Sequence, residues 1–170
     1  GPSAVQTEKV TVLTTTGASP RIRYAVSRLE SSLKQAGYPV MLDSVSPVDV
    51  QRKLLRKAKG IRIFAGTACD ANMTSASIAY KLPFGRSVRK EGFSIRTVDR
   101  VGKKMIAPVY LLRGDDESGV LYACLELCDR LKQQGKLPAG LSFDDQPEMV
   151  LRGPCIGIQK PYYLPGRTTY

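Results

Sequence analysis

Histidine is missing from this sequence of 170 residues, and its absence removes several kinds of site at once. It excludes Ser-His-Asp and Cys-His triads, histidine general bases and every zinc site with a histidine ligand. The four cysteines form no C-x-x-C pair, which excludes a zinc ribbon and a thioredoxin-type redox motif. No apolar run approaches the roughly 20 residues of a transmembrane helix. We therefore predict no metal site and no membrane partner.

Two further absences concern phosphate loops and catalytic acids. Residues 16–19, Thr-Gly-Ala-Ser, follow a predicted strand and open a helix, but they match neither the G-x-G-x-x-G pattern nor the Walker lysine pattern. The densest acidic cluster, residues 115–117, is contiguous, and adjacent carboxylates cannot flank a glycosidic bond from opposite sides. We interpret this cluster as a helix cap. The sequence thus predicts no cofactor and no catalytic residue within the chain.

What is present fits one domain with a hydrophobic core and a basic surface. Hydrophobic residues make up 42% of the chain and the mean hydropathy is -0.18, ordinary values for a globular protein. The net charge is +11, and residues 21–60 hold nine basic residues against three acidic ones. Such clusters attract anionic partners. The basic run 52–59 has no aromatic residue to stack on a base, which disfavours nucleic acid and favours a solvated helix face.

Hydrophobic periodicity and turn residues predict helices packed on a mixed sheet, in an α/β or an α+β architecture. Of these we expect the α+β fold, an α/β sandwich. The predicted strands are 9–14, 38–42, 61–65, 93–98 and 104–112, with the last two forming a hairpin, and the predicted helices begin at Ser19-Pro20, Ser46-Pro47, Asp70 and 114–118. The second helix is expected to run to about Gly60. Pro108 predicts an edge strand or a bulge, because proline cannot donate to a ladder.

Two short patterns have ordinary structural explanations. Cys124 and Cys128 are four residues apart on one face of the last predicted helix, which predicts buried apolar thiols. Residues 72–74, Asn-Met-Thr, match a glycosylation sequon, a pattern frequent by chance that matters only in a eukaryotic secretory setting.

The two ends of the chain differ in amino-acid composition from the domain between them. Residues 1–3, Gly-Pro-Ser, look like a cleavage scar, and any native signal peptide would have been removed before them. The folded domain is expected to span 4–137. Prolines and glycines are dense from 138 to 170, which predicts a connector with little structure of its own. Its tyrosines are interpreted as packing residues rather than platforms for sugars.

The order of the central elements resembles a known family. The segment 61–67 (IRIFAGT), the strand 91–95 (EGFSI), a hairpin and the helix 114–127 (GDDESGVLYACLEL) follow one another as in the small α/β domain before the catalytic barrel of family 20 β-N-acetylhexosaminidases and family 67 α-glucuronidases. The match covers most of residues 8–153. The resemblance implies an accessory domain, with a largely antiparallel sheet, helices on one face and the catalytic carboxylates in a barrel further along the chain.

The resemblance also implies one substrate-binding residue. Residues 147–153 look like the start of the first barrel strand, and Arg152, followed by Gly153, matches the arginine that binds sugar hydroxyls in the hexosaminidases. Residues 154–159 depart from the family, because they lack its aspartate-containing strand. The segment 138–170 is accordingly expected to comprise the connector and the truncated start of a barrel.

We therefore expect a non-catalytic N-terminal domain of a larger glycoside hydrolase that acts on polysaccharide or oligosaccharide. Its partners would be the catalytic barrel of the same chain and, through the parent enzyme, carbohydrate. The parent is expected to be periplasmic or secreted. The alternative is a free-standing module that binds an acidic glycan or nucleic acid through the basic residues of 21–104.

Overall fold

Six strands and four helices make up the computed structural model, which describes residues 8–55, 57–82 and 92–145. The strands are β1 Val10–Thr15, β2 Val40–Val45, β3 Ile61–Thr67, β4 Phe93–Val101, β5 Lys104–Gly114 and β6 Ser142–Asp145. The helices are α1 Pro20–Gln35, α2 Val50–Lys53, α3 Ala71–Ala79 and α4 Glu117–Gln134. The predicted class, helices packed on a mixed sheet, is confirmed.

The strands form one sheet of order β2-β1-β3-β5-β4-β6. Neighbours among β2, β1, β3 and β5 run parallel, whereas β4 is antiparallel to both β5 and β6. Parallel pairings therefore outnumber antiparallel ones, in contrast to the largely antiparallel sheet that the family resemblance implies. The reason is the connection between strands, because a helical crossover after β1 and again after β2 returns the chain in the same direction.

Hydrophobic cores lie on both faces of this sheet. On one face Ile63 packs with Leu29 of α1 and Leu127 of α4. On the other face Phe64, the next residue of β3, packs with Met73 of α3. Successive strand residues point to opposite faces, and both Ile63 and Phe64 have no exposed surface. The sheet is thus covered on two sides, whereas the resemblance implies helices on one side only.

Side-chain caps begin α1 and α4 at the positions that the sequence predicts. Ser19 Oγ accepts a hydrogen bond from the Ile22 N–H at 3.3 Å, and a carboxylate oxygen of Asp116 accepts one from the Gly119 N–H at 2.8 Å. α4 ends at Gly135, whose φ of 73° is one that glycine adopts without steric cost. Asp116 of the acidic cluster 115–117 therefore serves as the predicted cap.

The second helix is much shorter than predicted, because a buried arginine takes the carbonyls that would continue it. α2 spans only Val50–Lys53. The Arg62 guanidinium donates from Nη1 to the Leu54 carbonyl at 2.9 Å and to the Leu55 carbonyl at 3.1 Å. The prediction of a helix to Gly60 is wrong, because it could not anticipate this contact with β3.

β4 and β5 form the predicted hairpin, with Val101 paired to Lys104 across a turn of two residues. β5 lies between β3 and β4, so the edge-strand interpretation of Pro108 is wrong. A register shift between Val98 and Arg100, opposite the proline, accommodates it as the bulge interpretation predicts.

The folded domain extends beyond residue 137. β6 pairs antiparallel with β4, and the rings of Phe93 and Phe143 lie 5.7 Å apart between centroids. The Tyr110 hydroxyl donates to the Pro138 carbonyl at 2.7 Å, which ties the connection to β5. The sequence predicts a connector from 138, yet residues 142–145 complete the sheet. The remaining expectations for 146–170, Arg152 and the tail tyrosines among them, lie outside the described residues, as do residues 1–7.

Candidate functional site

The glycines of the motif in 114–127 serve close packing between a helix and two strands. A Cβ on Gly119 would lie 2.2 Å from the carbonyl oxygen of Gly92, and one on Gly114 would lie 2.2 Å from the backbone nitrogen of Val120. Both contacts are with backbone, which cannot yield as a side chain does. The glycines are therefore required where α4 meets the ends of β4 and β5, and they bring no chemical group to a site.

Several carboxylates within the described residues act as caps or ion-pair partners. Asp43 and Asp49 lie 3.3 and 3.4 Å from the Lys53 ammonium, and Asp144 lies 2.9 Å from the Arg96 guanidinium. The Ser46 N–H donates to Asp49, and this bond lowers the pKa of the Asp49 carboxyl. These roles stabilise turns and strand contacts.

The described basic residues of 21–104 lie on several different parts of the fold. Arg28 lies on α1, Arg62 is buried under the opposite face of the sheet, and Lys103 and Lys104 lie at the exposed hairpin tip. Burial lowers the pKa of the Arg62 guanidinium, whose hydrogen bonds to backbone carbonyls give it a structural role. The described part of the segment therefore does not gather all of its charge on one surface.

A polar cluster that the sequence did not reveal joins the carboxyl ends of β1, β2 and β3. The Thr15 hydroxyl donates to the carboxylate of Asp70, which also caps α3. Asn72 donates to Thr15 Oγ1 at 3.0 Å and to the Val45 carbonyl at 3.2 Å. Asn72 is 1% exposed, so the sequon at 72–74 is closed to modification in the folded chain.

Three cysteines lie within the described residues, and they have different states. Cys124 is fully buried, as predicted, and burial raises the pKa of its thiol. Cys128 is a partly buried free thiol. Cys69, in the turn after β3, is disulfide-bonded. The sequence does not predict this bond, because the cysteine has no partner at a diagnostic spacing.

A groove of about 350 Å³ runs between α1 and α4 on the side away from the sheet. α1 contributes Arg28, Ser32 and Gln35 to its wall, and α4 contributes Cys128 and Lys132. The two helices run side by side, and at their amino ends Arg21 donates to the Ser118 hydroxyl at 2.8 Å. The groove is not predictable from the sequence, because the residues of its two walls are about a hundred positions apart and meet only through the packing of the helices.

The electrostatic character of the groove is set by cations at its rim. Arg28 Nη1 donates to the Tyr24 hydroxyl at 2.9 Å, and the Arg28 guanidinium lies 5.9 Å from the centroid of the Tyr24 ring. Burial raises the pKa of the Cys128 thiol, although Ser32 and Arg28 oppose the shift. The groove thus holds a neutral thiol beside an arginine that its aromatic neighbour orients.

Neither metal ligation nor membrane insertion is indicated by the part of the chain that the structure describes. Across these residues, no group of three or more Cys, Asp and Glu side chains is placed to hold a metal ion. No helix among them combines the length and the apolarity that crossing a bilayer demands.

Comparison with known proteins yields a structural relative. No family model matches the sequence, and no curated protein matches it. The chain is similar to a solved structure of a GH138 enzyme targeting pectin rhamnogalacturonan II, with a TM-score of 0.50 and 25% sequence identity. The similarity covers 84% of this chain and 16% of that one, so this chain spans a small part of the enzyme's length. The fold is therefore related to a part of a glycoside hydrolase.

Proposed function

We propose that this chain is a non-catalytic domain of a larger glycoside hydrolase, and that it packs against a catalytic barrel of the same polypeptide. The observation that carries the proposal is the unequal coverage of the GH138 enzyme, 84% of this chain against 16% of that one. The fold thus recurs as a part of a much longer hydrolase.

Two features of the described residues agree with a scaffolding role. Gly114 and Gly119, the fixed points of the motif, lie against backbone where α4 packs on the sheet. The carboxylates at positions 43, 49, 116 and 144 act as caps and ion-pair partners. A glycosidase needs two carboxyl groups about 5–9 Å apart across a bound sugar, free for proton transfer or attack. In the proposed arrangement the barrel supplies them.

The proposal places the parent protein in an oxidising compartment, periplasmic or extracellular. The disulfide at Cys69 supports this placement, because disulfides persist in such compartments and are rare in a reducing cytosol. Arg152 is proposed as a sugar-binding residue at the start of the barrel. Neither the oxidising compartment nor the sugar-binding role of Arg152 depends on the packing of this domain against the barrel.

The test compares the 170-residue chain with a polypeptide extended through its downstream reading frame. Both are incubated with oligosaccharides, beginning with fragments of pectin rhamnogalacturonan II, and released reducing ends are measured. We expect hydrolysis by the extended polypeptide only, and its loss when the barrel acids are replaced by amides. Hydrolysis by the 170-residue chain alone, abolished by a substitution among its own residues, would refute the proposal.

A further inference from the structure

We propose that the groove between α1 and α4 binds an acidic sugar, with Arg28 and Lys132 holding the carboxylate of the ligand. The groove and its charged residues are all formed by this chain. The choice of a sugar among carboxylates rests on the proposed function, because a domain of a glycan hydrolase meets acidic sugars such as the uronic acids of pectin.

The volume of the groove suits a small ligand. At about 350 Å³ it lies at the lower end of the range of about 300–1,000 Å³ that ligand sites occupy. Both of its walls are helices that are capped and packed on the same core, so the groove exists before any ligand arrives. A site of this size and rigidity fits one residue of a saccharide chain rather than a protein segment.

The cations at the rim are suited to a carboxylate. Arg28 and Lys132 lie on different helices and are both exposed, so they approach a ligand from opposite walls. A guanidinium has five N–H donors in a planar fork, and the hydrogen bond to Tyr24 uses one of the donors of Arg28. Tyr24 thereby holds the fork in place at the edge of the groove.

The other polar residues of the groove favour a ligand with hydroxyl groups over a highly charged anion. Ser31, Ser32 and Gln35 can each donate and accept hydrogen bonds. Asp129, also in the wall, only accepts and carries a negative charge. A carboxylate here repels a doubly charged phosphate or sulfate more strongly than a singly charged carboxylate, and it accepts a hydrogen bond from a sugar hydroxyl. Uronic acids combine one carboxylate with several hydroxyls, which matches this set of groups.

Apolar groups lie in the wall of the groove and next to its rim. Ala36 and Leu131 line the groove at its base and are themselves buried in the helix packing. Tyr24 stands beside Arg28 with 51% of its surface exposed. Aromatic and small apolar groups of this kind cover the C–H face of a sugar while its hydroxyls reach polar side chains.

The first measurement is titration calorimetry of the 170-residue chain with trigalacturonate in buffered saline. We expect saturable binding by the unaltered chain. In the Arg28→Ala/Lys132→Ala variant the affinity should fall at least about tenfold, because each substitution removes a charged hydrogen bond to the ligand. Arg23→Ala/Lys34→Ala is the matched control, since it removes the same residue types and charge from another stripe of α1. We expect the control to bind as the unaltered chain does.

A second readout uses the thiol that lines the groove. Iodoacetamide alkylation of Cys128, followed by peptide mass spectrometry, should slow when trigalacturonate is bound and should not slow in the Arg28→Ala/Lys132→Ala variant. Circular dichroism of each variant establishes that the helices are intact. Fully buried Cys124 serves as an internal control that reports any opening of the fold.

Several results would overturn the assignment. Equal binding of neutral trigalactose would show that the carboxylate is not recognised. Inorganic phosphate that protects Cys128 as well as trigalacturonate does would mark a general anion site, and single-stranded DNA that requires Arg28 and Lys132 would assign the groove to nucleic acid. Undetectable binding of trigalacturonate would also refute the proposal. None of these outcomes would refute the proposed domain role, because that role is tested separately by measuring hydrolysis by the extended polypeptide.

Discussion

Gly119 shows how one missing side chain sets the position of a whole helix. The residue lies where the first turn of α4 passes the backbone before β4, and its own N–H is used by the Asp116 cap. Because the neighbour is a carbonyl of the main chain, no rotamer change can make room for a methyl group. The spacing of Gly114 and Gly119 in the sequence is thus a packing constraint.

We predict that Gly119→Ala destabilises the chain by about 1–3 kcal/mol, the usual cost of overpacking. Urea unfolding monitored by circular dichroism measures the change. Gly66→Ala is the comparison variant, because its Cβ would meet side-chain atoms only, Phe64 Cζ at 3.2 Å and Asp70 Oδ2 at 3.3 Å, which need to move by only a few tenths of an ångström. Equal losses for the two variants would contradict this account.

A second prediction at the scale of one residue concerns the ionisation of the Cys128 thiol. Burial raises the pKa of its thiol, and the thiolate is the form that reacts with alkylating agents. The alkylation rate of Cys128 in the folded chain should therefore keep rising above about pH 8.5, where a free cysteine is half ionised. Peptide mass spectrometry across pH 7–11 gives the profile, and unfolding in urea should return its midpoint to the value of free cysteine. A folded-state midpoint at or below that value would exclude the shift.

At the scale of elements, the sequence predicts the helices and strands whose bounds depend on neighbouring residues in the chain. Ser19-Pro20 and the recurrence of apolar residues placed α1, and the glycine before Lys103 placed the hairpin. The sequence predicts too long an α2, because Arg62 belongs to β3 and its hydrogen bonds to two carbonyls are a tertiary contact. β6 was missed because Ser142–Asp145 is short and polar, and pairing with β4 gives it order.

The role of Arg62 in ending α2 can be tested by substitution. Arg62→Met keeps much of the side-chain volume but leaves the Leu55 carbonyl without its charged donor, which should cost about 1–3 kcal/mol. Arg52→Met, on the exposed side of α2, should change stability by less than about 0.5 kcal/mol. Chemical denaturation of the two variants gives the comparison, and similar midpoints would mean that the buried guanidinium does not stabilise this turn.

For the molecule as a whole, the sequence predicted the class of the fold and left its sites undetermined. The packed face could be foreseen from periodicity, whereas the groove and the polar cluster at Asn72 depend on residues brought together from distant segments. The disulfide at Cys69 belongs to the same class of features, because a single cysteine in a turn gives no signal of its partner.

We predict that this disulfide contributes about 2–4 kcal/mol to the stability of the whole domain. Dithiothreitol should lower the urea midpoint of the unaltered chain, and the denatured, non-reduced chain should show fewer titratable thiols than the reduced one. Cys128→Ser should remain sensitive to the reductant, whereas Cys69→Ser should not respond to it. Thiol counts that do not change on reduction would rule the bond out.

The buried amide of Asn72 bears on the choice of production host. Oligosaccharyltransferase acts on nascent chains, before the cluster at Thr15 and Asp70 has closed over the asparagine. A glycan added then could not be accommodated in a site that is 1% exposed, so secretion from yeast should yield little protein. Thr74→Ala destroys the sequon at an exposed position, and its secreted yield should recover to that of a bacterial periplasmic preparation.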